Sequence, residues 1–247
     1  MKNKIYIGTS SYNNRLWQPQ FYPETLPGSK WFEFYCEHFI TYELNVTFYK
    51  FPTVRTLQSW YKKCPSGFRF SVKAPKQITH TMKFEGCETE LGQFYSICRE
   101  GLQDKLGCVL FQLPPSFSYT PERLHLILQK VDRSFSNIIE FRNASWWRDD
   151  VFTALYENNI TFCSVSYPGL PNEIIRTTPT GYLRLHGNPK LFYSDYSDAE
   201  ILRYIEKISD NGNFHEFYMY FNNTAGLSGI KNALFANSIV NKIDSNK

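Results

Sequence analysis

Short apolar runs alternate with longer amphipathic stretches from one end of this chain to the other. The apolar runs fall at residues 4–9, 41–46, 68–73, 107–113, 137–142, 160–166, 182–186 and 217–222. Each is short, rich in β-branched or aromatic residues and bounded by Gly, Pro or Asn, which predicts eight strands. Helical periodicity fills the stretches 29–38, 54–63, 88–105, 121–131, 147–158, 198–209 and 227–243. Thr120-Pro121 places proline at the first helical position behind a capping threonine, and Pro52-Thr53 is a second start signal. Residues 167–181 are rich in Pro and Gly without a helical period and predict a loop. Strict alternation of strand and helix predicts a parallel sheet. Eight such units predict a single-domain (β/α)8 barrel of the TIM type over residues 1–247, with the sixth βα unit lacking a helix. The chain has no G-x-G-x-x-G, Walker A, G-x-S-x-G or H-E-x-x-H pattern. Sequence signatures of a dinucleotide-binding sheet, a P-loop, a serine hydrolase or a zinc protease are therefore missing.

Within the strands a second pattern stands out. Parallel strands buried on both faces read as continuously apolar. Here one face turns polar toward the C-terminal end: Glu43 and Asn45, Ser71 and Lys73, Gln112, Glu140 and Arg142, Arg184 and His186, Tyr220 and Asn222. The residues between them, Leu44, Val72, Phe111, Phe141, Leu185 and Phe221, stay apolar. Residues two apart share a strand face, and barrel active sites lie at the C-terminal ends of the strands. One ion pair would only seal the lumen. Two acids, a lysine, two arginines and a histidine exceed that need and predict a pocket.

Because Lys73, Arg142 and Arg184 outnumber Glu43 and Glu140, the expected partner is a small anionic molecule bearing phosphate or carboxylate. In an acid/base enzyme (a hydrolase, lyase or isomerase) Glu43 or Glu140 is the candidate general base and His186 its acid/base partner. Lys73 is then an electrostatic stabiliser. Asn45, Gln112, Asn222, Arg142 and Arg184 are the candidate substrate-binding residues. A Schiff base at Lys73 and a glycosidase pair of Glu43 and Glu140 are further chemistries open to the same residues. His80 follows the third strand and either reaches the mouth or caps the next segment. His38, His125 and His215 are expected to be structural. Trp17, Tyr49, Trp146 and Tyr193 lie in or near loops at the mouth, where rings can stack on a sugar or base.

Composition adds bounds. Aromatics make up 17% of the chain, through 21 Phe and 17 Tyr, which opposes disorder. The net charge of +4 is spread without a basic run, so nucleic acid remains the alternative partner, by analogy with barrel endonucleases, but no basic stripe supports it. The six cysteines form no C-x-x-C pair, and the expectation is reduced, buried thiols. No cofactor is predicted. A divalent metal would have to use Glu43, Glu140, His186 and His80, beside cationic groups that oppose it. The N-terminus lacks a signal-peptide core, and no apolar run approaches the roughly 18 residues of a membrane span. The expectation is a cytoplasmic protein with no membrane partner.

Several stretches carry a resemblance to a known family. They are Ile7-Gly8-Thr9-Ser10, Phe21-Tyr22-Pro23, residues 43–49 (ELNVTFY), residues 68–75 (FRFSVKAP) with Ile78-Thr79-His80, residues 110–115 (LFQLPP), Glu140-Phe141-Arg142-Asn143 with Ser145-Trp146, Arg184-Leu185-His186-Gly187, and Tyr220-Phe221-Asn222-Asn223. In these the chain resembles, end to end, the YecE-like family, also called domain of unknown function seventy-two. The resemblance implies a TIM-type barrel and a shared pocket at the polar strand ends, and it implies no activity. It adds Tyr49, His80 and Asn223 to the substrate-binding candidates. Ser11 stands where a Gly is usual, Phe192 where a Trp is usual, and Ser166-Tyr167 where an Asp is common.

Overall fold

The computed structural model describes residues 4–210 and 214–245. The apolar runs form parallel strands: β1 (Lys4–Thr9), β2 (Thr41–Leu44), β3 (Arg69–Lys73), β4 (Leu106–Gln112), β5 (Asn137–Glu140), β6 (Thr161–Phe162), β7 (Ser164–Ser166), β8 (Thr180–Leu185) and β9 (Glu216–Phe221). The helices are α1 (Trp31–His38), α2 (Val46–Tyr49), α3 (Val54–Lys63), α4 (Glu88–Leu102), α5 (Pro121–Lys130), α6 (Asp149–Glu157), α7 (Asp198–Asp210) and α8 (Ser228–Ser245). Thr53 and Thr120 cap α3 and α5 by accepting the backbone N–H groups of Thr56 and Arg123. The loop expected after the sixth run holds no helix between β7 and β8.

The strands lie in two parallel sheets, ordered β1-β9-β8-β7 and β2-β3-β4-β5-β6. One continuous eight-stranded ladder, the sequence expectation, is not what the hydrogen bonds describe. The sixth run divides at Cys163. Its first part pairs with β5 and its second with β8. Side chains from the loop before β8 replace a strand neighbour for β6. Phe162 donates its N–H to the Thr177 hydroxyl at 2.8 Å, and that hydroxyl donates to the Ile160 carbonyl at 2.7 Å.

The second interruption lies between β1 and β2. Among the described residues no ladder joins them, although they touch: a Cβ added at Gly8 would sit 2.7 Å from the Thr41 carbonyl oxygen. Tyr35 of α1 fills the seam. Its hydroxyl accepts the Thr9 N–H at 2.9 Å and donates to the Thr41 carbonyl at 3.1 Å. Burial holds the phenol protonated far above its ordinary range. Tyr35→Phe should therefore strand two buried backbone groups and cost about 1–3 kcal/mol. Urea denaturation followed by circular dichroism tests this. A loss below about 0.5 kcal/mol would show that the hydroxyl does not staple the seam.

Alternation along the strands builds two cores. Leu44, Phe70, Val72, Phe111, Ile139, Leu183, Leu185 and Phe221 face the helices. Tyr6, Cys108, Leu110, Ile138, Val165, Tyr182, Tyr218 and Tyr220 face inward and form a separate cluster. The inner cluster is closed by hydroxyl contacts: Tyr220 bonds both Thr41 and Ser71. This apolar plug leaves only the C-terminal end of the strands for the polar residues. Five cysteines are buried, Cys36 is half-buried, and all six are free thiols. No helix among the described residues is long and apolar enough to cross a membrane.

Candidate functional site

Arg184, near the end of β8, organises the polar layer. Its Nε and Nη2 donate to Glu43 at 3.0 and 2.6 Å, and its Nη1 donates to Glu140 at 2.6 Å. All three side chains are buried. Glu43 also accepts the Ser10 hydroxyl at 2.6 Å, the Tyr182 hydroxyl at 2.7 Å and an Asn45 N–H at 3.2 Å. Burial alone would raise the Glu43 pKa. The Arg184 charge and these donors outweigh it and hold the carboxyl below its ordinary range. Glu140 is likewise held well below that range, with Arg142 and Arg184 overcoming its burial.

His186 follows β8 and bridges Glu140 and Asn222. Its Nε2 lies 2.8 Å from Glu140, and its Nδ1 lies 2.8 Å from the Asn222 amide nitrogen. Burial and the two guanidiniums push its pKa well down despite Glu140, so the ring is neutral. The partners assign the tautomer: Nε2–H donates to Glu140 and Nδ1 accepts from Asn222. The 3.2 Å approach of Arg142 to the same Nε2 is then a contact, because that nitrogen already carries its proton. Arg142 Nε lies 2.7 Å from Glu140, yet it makes no hydrogen bond there. The Arg142 guanidinium instead rests on the Tyr167 ring, 4.3 Å from its centroid. An aromatic face thus supports the cation at the place where the family resemblance leads one to expect an Asp.

Above this layer opens a cavity of about 430 Å³ at the C-terminal ends of the strands. Lys73, His80, Gln112, Arg142, Arg184, Asn45 and Asn222 contribute its polar walls, with Ser10, Phe48, Tyr49, Tyr167, Leu191 and Phe192. Among the described residues no carboxylate lines it; Glu43 and Glu140 lie beneath Arg184. Lys73 ends β3 and is 9% exposed. The turn α2 puts Phe48 over it, with the Lys73 Nζ 4.1 Å from the ring centroid. Thr47 anchors that turn by donating to the Leu44 and Lys73 carbonyls at 3.0 and 2.6 Å. Among the described residues the Lys73 ammonium has no ion-pair partner. Burial, then the nearby Arg184, lowers its pKa to about 7. His80 sits in the wide helical turn Gln77–Thr81, with its Nδ1 2.9 Å from the Thr79 hydroxyl. Burial and Lys73 lower its pKa to about 4, so it is neutral at pH 7.

The structure thus brings together eleven of the twelve residues singled out from sequence, in two tiers. Lys73, Asn45, Tyr49, His80, Gln112, Arg142, Arg184 and Asn222 line the cavity, and Glu43, Glu140 and His186 support it from below. Asn223 faces away, bonding the Ser194 carbonyl and Asn232 at 3.0 Å each. Trp17 and Trp146 are fully buried, donating to the Gly226 and Phe117 carbonyls, and have no face to offer a ligand. Ser10, Phe48 and Tyr167 are cavity residues that the strand pattern did not assign, because each lies just past a strand where alternation stops. No group of three metal-binding side chains occurs among the described residues.

A family model described as "Protein of unknown function DUF72" matches residues 6–245. A relative, UPF0759 protein YunF of Bacillus subtilis (strain 168), is 28% identical over 166 residues, covering 64% of this chain and 56% of YunF. The chain therefore spans a little over half the length of that relative. Among solved structures, a DUF72 family protein from Thermotoga maritima MSB8 superposes with a TM-score of 0.87 at 27% identity, covering 97% of this chain and 100% of that one. A DUF72 family protein from Enterococcus faecalis V583 gives a TM-score of 0.82 at 20% identity, over 96% of this chain and 95% of that one, a likeness of fold alone.

Proposed function

The chain belongs to the DUF72 family, and from that premise we propose that its cavity binds a small anionic molecule and transfers a proton through Lys73. Membership brings no activity with it, so the function rests on the site. The carrying observation is the position of Lys73: buried, without a carboxylate partner, and facing a cavity whose other charged walls are guanidiniums. An amine that titrates near neutrality can both take and return a proton. Arg142, backed by the Tyr167 ring, is the anion's primary partner, and Gln112, Asn45 and Asn222 orient the remainder.

This reassigns the acids. Glu43 and Glu140 are each committed to Arg184 and held ionised, so they position the guanidinium and do not act as general bases. A water-activating carboxylate is thereby absent from the cavity wall, which favours lyase or isomerase chemistry over hydrolysis. We take the two sheets to act as one (β/α)8 barrel, bridged by Tyr35 on one side and by the unbroken chain at Cys163 on the other.

Sulfate is a useful probe because its charge is constant through the neutral range. Its affinity, followed by calorimetry, should rise as pH falls through about 7 and Lys73 gains its proton. Arg142→Ala should weaken binding by about tenfold or more, the worth of one charge-assisted hydrogen bond. An affinity flat from pH 6 to pH 9 and indifferent to Arg142→Ala would refute the assignment.

A further inference from the structure

The geometry points to Lys73 as an imine-forming nucleophile, so that the substrate is an aldehyde or ketone carrying a carboxylate or phosphate. This deepens the anion reading above and rests on it. Three observations carry the step from proton transfer to covalent chemistry. The Lys73 amine ends a strand and projects into the cavity from a buried side chain, so lost solvation disfavours the ammonium form even though the Phe48 face beside it favours a cation. No carboxylate is placed to pin it as an ammonium, since Glu43 and Glu140 are both committed to Arg184. Arg142 shares the same cavity and can fix an anionic tail, leaving the carbonyl carbon near the amine.

The chemistry balances without an outside reagent. The ammonium first gives one proton to a neighbour, and the freed lone pair attacks the carbonyl carbon. A carbon–nitrogen bond forms, and the carbonyl oxygen becomes a hydroxyl with a proton drawn from the attacking nitrogen. The proton set aside then returns to that hydroxyl, which departs as water. The sum is ammonium plus carbonyl giving iminium plus water. His80 suits the holding role: it lines the same cavity and stands as a neutral imidazole at pH 7. The resulting iminium withdraws electrons from the adjacent carbon–hydrogen or carbon–carbon bond, in keeping with isomerase or lyase chemistry.

The test uses glyoxylate as an anionic aldehyde, acetaldehyde as its neutral counterpart, and sodium cyanoborohydride, whose hydride reduces the iminium to a stable secondary amine. The intact protein is treated at pH 7 and the modified lysines are mapped by peptide mass spectrometry. The expected result is glyoxylate labelling of Lys73 on the order of tenfold faster than of exposed lysines. Arg142→Ala should slow glyoxylate labelling of Lys73 by a larger factor than acetaldehyde labelling, which loses only the effect of the guanidinium charge on the amine. Lys73→Met should abolish the fast phase without altering the surface background. Labelling of Lys73 no faster than of surface lysines with either aldehyde overturns the imine proposal. Sulfate binding measured on the same samples separates the two readings: binding retained without labelling removes only the imine, and binding lost as well removes the anion site beneath it.

Discussion

Arg184→Met is expected to destabilise the fold by about 3–5 kcal/mol, the usual cost of removing one partner from a buried ion network. The arginine is 1% exposed and neutralises two carboxylates that are wholly buried. Without it Glu43 keeps only neutral donors, from Ser10, Tyr182 and Asn45. Glu140 keeps His186 and the off-angle contact with Arg142. The pH dependence follows from the direction of the shifts. Both carboxyls are depressed in the folded protein, so each contributes stability that is present above the ordinary carboxylate range and lost as pH falls through the folded value. In Arg184→Met that contribution is gone, and the deficit relative to wild type should narrow as pH falls below about 5. Urea titrations at pH 7 and pH 4.5 measure both effects. Adding Glu43→Gln and Glu140→Gln to Arg184→Met should recover much of the loss, because the uncompensated charges go with the acids. A single variant within about 1 kcal/mol of wild type would mean that the network does not hold the inner layer together.

Lys73→Met should do the opposite and stabilise the protein. The folded amine binds its proton less tightly than the unfolded one. Its contribution is therefore fully present above the unfolded pKa of about 10.4 and is lost as pH falls toward about 7. At neutral pH this penalty is on the order of 4 kcal/mol, and methionine, of similar volume, removes it. Loss of the contact with Phe48 offsets about 1 kcal/mol of the gain. Wild-type stability should accordingly rise between pH 7 and pH 10 more steeply than that of Lys73→Met. Equal slopes, or a variant less stable than wild type, would show that the lysine is not held against its own charge. Opposite signs for two cations in one cavity distinguish an arginine that organises the layer from a lysine held against its own charge.

Much of this architecture is visible along the chain, for a physical reason. Strand alternation is local, so the period-two pattern placed Glu43, Lys73, Gln112, Glu140, Arg184, His186 and Asn222 at one end of the sheet. Depth is not local. Arg184 bonds Glu43 from 141 positions away and Glu140 from 44, and no neighbouring residue marks which acid lies beneath it. For that reason the strand pattern marks both acids as candidate bases but cannot show that each is buried and bonded to Arg184. The surroundings of Lys73 were equally hidden. Its environment depends on Phe48, in a turn where strand alternation has ended. The division of the sixth run was hidden because every residue from Ile160 to Ser166 is buried and of a type that strands accept, so nothing in the stretch marks the change of partner at Cys163. Trp17 and Trp146 misled for a related reason: a ring with a polar tip suits a binding mouth and a hydrogen-bonded core equally well.

Lys73 is expected to ionise near neutrality inside an anion-accepting cavity. Protein labelled with carbon-13 at lysine Cε reports this directly by nuclear magnetic resonance, with Lys73→Met identifying the resonance. One lysine signal should titrate with a midpoint of about 7 and move upward when saturating sulfate is added. A Lys73 signal that titrates only above pH 10, with or without sulfate, would contradict it.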